Sequence, residues 1–173
     1  PRSLQAEGAE DSFIRTLSQM QDDLRRDYVT GAYNAVYLNE QYRPIAERAA
    51  MSGTPVGVVM VRVNEYWQLR EHESDSAANC CLNMAAGILQ LAVGPDHDKA
   101  VLARLNDGFF AIVTIGTPAA RMAQTVREAM NDSRREFNIS LSRRGSFTVE
   151  IASAEWGETA SWDMTLSLAQ QRL

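Results

Sequence analysis

Cysteine is scarce: Cys80 and Cys81 are the only two, and they are adjacent. A bond between neighbours would be strained, so no disulfide framework is available. The pair reads as two small apolar residues on a helix. There is no Cys-x-x-Cys, and His72 and His97 lie far apart in sequence, which argues against zinc. Without cysteine staples or a signal-peptide pattern, the expected location is the reducing cytoplasm. Long hydrophobic runs are missing too. The longest, around Val56 to Val63 and Phe109 to Ile115, fall well short of the roughly 20 residues a membrane helix needs. No membrane contact by this fragment is expected, although a membrane-anchored parent protein is compatible with it. An excess of positive charge is also absent: 17 Lys and Arg against 22 Asp and Glu give a net charge of -5. That balance argues against nucleic acid as a partner. No P-loop and no G-x-S-x-G elbow is present. Neither a cofactor nor a metal site is expected.

What remains is a chain of 173 residues, 45% hydrophobic and 23% charged, enough for one domain with a core. Pro1 to Glu10 is polar and aperiodic and reads as a flexible lead-in. Phe13, Leu17, Met20 and Leu24 recur at steps of four and three, the seam of a helix that packs on a partner. Such a helix suits self-association or a protein partner, and would extend a longer one upstream in a larger protein. Asn34 can cap a second helix to about Ala50 with Tyr37, Leu38, Tyr42 and Ile45 on one side; Pro44 predicts a kink or a late start. "VGVVMVRV" is continuous and β-branched, as in a central strand buried on both faces. Ser76 to Val93 reads as a helix with Leu82, Ala85, Ala86, Leu89 and Leu91 inward. "KAVLARL" and "GFFAIVTI" form a hairpin through Asn106-Asp107-Gly108, with Gly108 free to take a positive φ. Pro118 opens a helix to about Phe137. "ISLS" and "SFTVEIASAEW" read as strands, the second with Phe147, Val149 and Ile151 inward. A last helix starts near Ser161. Trp67, Trp156 and Trp162 read as packing residues beside the sheet, with Trp67 open to a second role. The fold class is an α/β (α+β) sandwich: a mixed central sheet flanked by helices, related to the ferredoxin-like arrangement and preceded by an N-terminal helix.

"DYVTGAYNAVYLNEQ" resembles the start of GGDEF domains, D-x-L-T-G-L-x-N-R-R-x-L, with Asp27, Thr30, Gly31, Asn34 and Leu38 matching. "VMVRVNEYWQL" then falls where that family has a strand ending D-x-D-x-F-K. "ARLNDGFF" falls on R-Y-G-G-D/E-E-F, retaining Arg104 and Phe110. The resemblance divides the chain into residues 1–26, lead-in and coiled-coil-like signalling helix, and residues 27–173, a degenerate GGDEF-like domain. It implies a nucleotidyl-cyclase palm-like sheet and, in the family, fusion of two GTP molecules into cyclic di-GMP.

That reaction needs metal ions held by carboxylates to polarise a hydroxyl and neutralise phosphate charge. The family's two metal carboxylates correspond to Arg62 and Gly108, and its signature glutamate to Phe109. Asn106 and Asp107 stand where glycines let backbone approach phosphate; Asp107, one position off and already a turn residue, does not replace the missing carboxylate. The base-reading asparagine and aspartate correspond to Arg70 and Asn79, within altered segments. The product-inhibition R-x-x-D would fall at His97 and Ala100 and is missing. His97 and His72 read as exposed loop residues. Trp67 replaces a family lysine at the mouth of the nucleotide site, where its ring could fill the pocket or face a partner.

The expected function is therefore a catalytically inactive GGDEF-like regulatory or interaction domain of a bacterial cyclic di-GMP signalling protein. It would work through Phe13 to Leu24 and Trp67, with a protein partner that could be another GGDEF-type or signalling protein. The alternative is a non-catalytic receptor for GTP or a cyclic dinucleotide, through a rebuilt pocket of Arg62, Arg70, Asn79 and Arg104.

Overall fold

The computed structural model describes residues 2–140 and 147–173, with side chains described for 8–133 and 147–173. Helix α1 spans Arg2–Arg25. The start expected as a flexible lead-in is thus helical from Arg2. Its polarity hid good helix formers, since Leu4, Gln5, Ala6, Glu7, Ala9 and Glu10 all favour a helix and only Gly8 opposes it. Phe13, Leu17, Met20 and Leu24 are 65, 44, 57 and 77% exposed, so the apolar seam is left largely uncovered by the described residues.

The second helical region keeps its predicted cap: the Asn34 side chain accepts a hydrogen bond from the Tyr37 amide at 2.8 Å. It runs as α2 (Ala35–Tyr37), a π-helical turn (Leu38–Tyr42) and α3 (Arg43–Met51). Pro44 has no amide to donate backward, and the wide turn just before it absorbs the missing bond without breaking the helix. The extra residue in that turn also shifts the buried face. Leu38 and Tyr42 are buried as expected, whereas Ile45 is exposed and Ala46 takes its place in the core.

Strand β1 (Tyr33–Asn34) precedes α2, and β2 spans Val56–Val63. Two helices follow: α4 (Tyr66–His72), in a stretch that carries no clear periodicity, and α5 (Asp75–Val93). Leu82, Ala85, Ala86 and Leu89 face the core with Ile88, but Leu91 is exposed, because two helical steps from Leu89 turn it to the far side. Strands β3 (Ala100–Asn106) and β4 (Phe109–Ile115) form the hairpin. Helix α6 (Ala119–Ser140), β5 (Val149–Glu155), α7 (Trp156–Thr159) and α8 (Trp162–Gln171) complete the fold. Of the strand expected at "ISLS", Ile139 and Ser140 belong to α6, and Leu141 and Ser142 lie outside the described residues.

The sheet order is β1-β3-β4-β2-β5, parallel between β1 and β3 and antiparallel elsewhere. Interior position explains the continuous apolar run of β2. Val59, Val61 and Val63 pack with Leu82, Leu89, Phe110, Ile112 and Val126 on one face. Val56, Val58 and Met60 pack with Leu38, Tyr42, Val101, Val113 and Trp162 on the other. Trp162 is fully buried, and its indole N–H donates to Asn39 at 2.9 Å. Phe147, Val149 and Ile151 face the first core, the last two only half-buried because β5 is an edge strand. Helix α5 is the only described helix with the length and hydropathy of a membrane span, a feature the linear reading missed; its apolar side is packed into the first core.

The adjacent thiols differ sharply. Cys80 is exposed and Cys81 buried, and burial, with smaller contributions from Glu65 and Cys80, pushes the Cys81 thiol from the ordinary 9.0 up to about 12. Alkylation of the folded protein at mildly alkaline pH should modify Cys80 and spare Cys81 in peptide mass spectra. Equal labelling of both would contradict this packing.

Candidate functional site

Asp27, Thr30 and Gly31 build a tight turn after α1. The Asp27 carboxylate accepts from the Thr30 amide at 2.9 Å and from its hydroxyl at 2.7 Å, while Gly31 takes φ 74° and donates to the Asp27 carbonyl at 2.8 Å. The other Asp27 contact is Arg104 Nη1, at 3.2 and 3.3 Å from the two carboxylate oxygens, with both side chains mostly buried. Arg104 Nε donates in turn to the Asp107 carbonyl at 3.1 Å. One guanidinium therefore ties the turn after α1 to the β3–β4 turn.

At that hairpin the expected backbone assignment is reversed. Asp107, not Gly108, is left-handed, at φ 45°, a conformation aspartate tolerates better than most residues. Gly108 is needed for space: a Cβ there would stand 2.9 Å from Tyr66 Cβ and 2.9 Å from the Val63 carbonyl oxygen. The backbone is held close by the Val63 amide, which donates to the Gly108 carbonyl at 2.8 Å.

Arg62 pairs across the sheet with Phe109 on one side and Glu150 on the other, so the positions that the resemblance assigns to metal carboxylates do converge on one corner. Their chemistry does not fit a divalent cation. Arg62 brings a guanidinium ion-paired to Glu150, Gly108 has no side chain, and Phe109 brings a ring. Glu65, just beyond β2, is engaged by the Thr148 amide at 2.8 Å and the Thr148 hydroxyl at 2.5 Å. Among the described residues, no group of three or more His, Cys, Asp or Glu is placed to hold a metal ion.

A cavity of about 280 Å³ opens between the turn after α1, α4, the start of α5 and the hairpin, lined by Tyr28, Tyr66, Arg70, Asp75, Asn79, Arg104 and Asp107 among others. It collects three of the four residues expected to form a rebuilt pocket; Arg62 is not among them. Both guanidiniums are already engaged, Arg104 by Asp27 and Arg70 by Asp75 at 3.2 Å and the Tyr66 hydroxyl at 3.3 Å. Asp75 and Asp107 put carboxylates on the wall as well. Ser74 caps α5 by accepting from the Ala77 amide at 3.0 Å.

Trp67 neither lines nor fills this cavity. It is 49% exposed, edge-on to Tyr66 at 5.4 Å, with the Arg70 guanidinium 5.3 Å from its ring. Tyr66, its neighbour, lines the cavity instead. Phe109 does not line the cavity either. His97 is exposed as expected but anchored: the Tyr33 hydroxyl lies 3.0 Å from Nδ1, and the Tyr42 hydroxyl donates to its carbonyl at 2.9 Å. Burial above all, then Tyr37, Asp98 and Asp96, raises the Tyr42 phenol well above its ordinary pKa, so it remains a donor. His72 is exposed. Sequence reasoning missed Tyr66, although it stands at the aromatic place of D-x-D-x-F-K. It also missed Glu150, which lies 88 residues from Arg62 with no local sign of the pairing.

Several solved structures share this fold. The coiled coil and GGDEF domain of DgcB from Caulobacter crescentus, in complex with c-di-GMP, superposes with a TM-score of 0.82 at 18% identity, covering 98% of this chain and 89% of that one. The FimX GGDEF domain from Pseudomonas aeruginosa gives 0.70 at 21% identity over 86% and 90%. The diguanylate cyclase SiaD from Pseudomonas aeruginosa, in complex with its activator SiaC, gives 0.72 at 17% identity over 99% and 65%. The family model "Diguanylate cyclase, GGDEF domain" matches residues 24–173, and with the palm-like sheet already described this places the chain in the GGDEF family of cyclic di-GMP signalling proteins.

Proposed function

We propose that this GGDEF domain is catalytically inactive and serves as a cytoplasmic regulatory module that binds a protein partner or a second copy of itself. The observation that carries this reading is the corner at Arg62 and Gly108. A cation paired with Glu150 stands at one metal position, and the other has no side chain and no room for a Cβ. Without ligands for divalent cations, the hydroxyl attack and the charge on the leaving pyrophosphate lack their usual stabilisation. The exposed seam of α1 supports the interaction role, because four large apolar side chains at heptad-like spacing stand in solvent. SiaD provides a precedent for a GGDEF protein with a protein activator.

The test is incubation of the purified chain with GTP and magnesium or manganese, followed by chromatography for cyclic di-GMP. No product above a protein-free control is expected; turnover would overturn the reading. A second reading, a nucleotide receptor, draws on the cavity that gathers Arg70, Asn79 and Arg104. The prior engagement of both guanidiniums and the two wall carboxylates weigh against phosphate there. Calorimetric titration with GTP and cyclic di-GMP separates the two readings, since a flat trace at high ligand concentration removes the second.

A further inference from the structure

The cavity beside the β3–β4 turn holds two polar side chains that the fold itself does not use. Asp107 lines it from the hairpin and Asn79 from α5. Among the described residues, neither the Asp107 carboxylate nor the Asn79 carboxamide has a hydrogen-bond or ion-pair partner. An aspartate in a tight turn ordinarily accepts from a nearby backbone amide. Asp107 instead offers its carbonyl to Arg104 Nε at 3.1 Å and holds φ 45°, while its side chain makes no such bond.

The charges around this cavity do not cancel. Arg70 is matched by Asp75 at 3.2 Å and Arg104 by Asp27 at 3.2 Å, which leaves the Asp107 carboxylate in excess. The open acceptors, that carboxylate and the Asn79 carbonyl oxygen, suit a donor that brings positive charge. Tyr28 and Tyr66 line the same space, and a tyrosine ring attracts a cation across its face. Val29 and Ala78 add a short apolar wall. At about 280 Å³ the cavity falls at the foot of the roughly 300–1,000 Å³ range of small-molecule sites, so its ligand is small. A divalent cation is poorly served, since among the described residues no three His, Cys, Asp or Glu converge to hold one.

We propose that this cavity binds a small primary aliphatic amine as its ammonium ion. Such an amine is protonated at neutral pH, like a lysine side chain, and carries three N–H donors. The Asp107 carboxylate accepts one of them in a charge-assisted bond and Asn79 accepts a second, while the alkyl stem lies on Val29 and Ala78. Arg104 stands close by, but its charge is held by Asp27 in a mostly buried pair and its Nε is engaged by the Asp107 backbone. The ligand has the opposite charge to a nucleotide, and its binding is independent of whether the chain turns over GTP.

The test is titration of the full chain with butylamine at neutral pH and constant ionic strength, followed through the amide signals in two-dimensional NMR spectra. Butylamine should shift the Asn79 and Asp107 amides saturably. Asp107→Asn should weaken binding by about tenfold or more, the loss of one charge-assisted hydrogen bond, and should fold because asparagine also tolerates the left-handed backbone. Asp107→Gly is a second variant, since glycine holds the positive φ there without strain. Asp11→Asn, which makes the same change in net charge on α1, should bind as the unmodified chain does. Tetramethylammonium, a cation without N–H donors, should bind about tenfold more weakly than butylamine or worse. Inorganic phosphate should cause no saturable shift at these amides. Butylamine shifts that fail to saturate, undiminished binding by both Asp107 variants, or equal binding of tetramethylammonium would overturn the proposal. Saturable binding of phosphate would do so too, and would mark the cavity as an anion site.

Discussion

Arg104→Ala should lower the unfolding free energy by about 3 kcal/mol, the toll of leaving one member of a mostly buried ion pair without its partner. The Asp27 carboxylate would keep its two bonds to Thr30 but lose both contacts to the guanidinium, and the Asp107 carbonyl would lose its donor. Arg104→Lys should recover only part of the loss, because an ammonium cannot span the carboxylate and the carbonyl with one planar fork. Urea denaturation of the single variants, of Asp27→Ala and of the double variant completes a cycle whose coupling term reports the pair directly. If Arg104→Ala left stability unchanged while abolishing binding of a nucleotide, Arg104 would be a ligand-binding residue and the structural assignment would fail.

Gly108→Asp, which puts a carboxylate at the position that the resemblance assigns to a metal ligand, should cost about 2 kcal/mol and yield no cyclase activity. The new Cβ would collide with Tyr66 Cβ and the Val63 carbonyl, so trimming the Tyr66 ring to alanine should not rescue the fold; the clash lies with the backbone and first carbon, not the ring tip. The neighbouring change has the opposite expectation. Asp107→Gly should be tolerated, because residue 107 holds the positive φ that glycine adopts without strain. Differential scanning calorimetry of the two variants checks both signs. A stable Gly108→Asp protein would mean that this corner has room for a carboxylate and that the packing against Tyr66 and Val63 does not forbid one.

Several residues that carry the family resemblance have local structural work that accounts for them. Asp27, Thr30 and Gly31 make one turn, Asn34 caps a helix, and Leu38 is core. Such roles depend on neighbours within a few residues, which is why they can be read from a linear string. The same locality made β2, α5, the hairpin, α6 and α8 legible, since each announces itself by a period, a cap or a turn. Errors arose where the deciding contact was remote or the period shifted. The π-turn before Pro44 moved Ile45 out and Ala46 in, and α4 was invisible because its burial depends mainly on Tyr66 against the hairpin and α5. Leu91 has the apolar character of an inward residue, but its place two residues after Leu89 turns it to the exposed side of α5.

The candidate site divides in the same way. That Arg62, Gly108 and Phe109 offer no carboxylate is a fact of residue type, and the argument against metal ligation by them follows from their chemistry in one dimension. Three matters belonged to the tertiary structure: Arg62 paired with Glu150 instead of joining the cavity, Arg104 spent on Asp27, and a hairpin glycine required by the nearness of Tyr66 and the Val63 carbonyl. Each depends on groups distant in the chain but close in the fold. A sequence determines what chemistry a side chain can offer and which local turn it can make; only packing decides which charge is already neutralised and where a single carbon has no room.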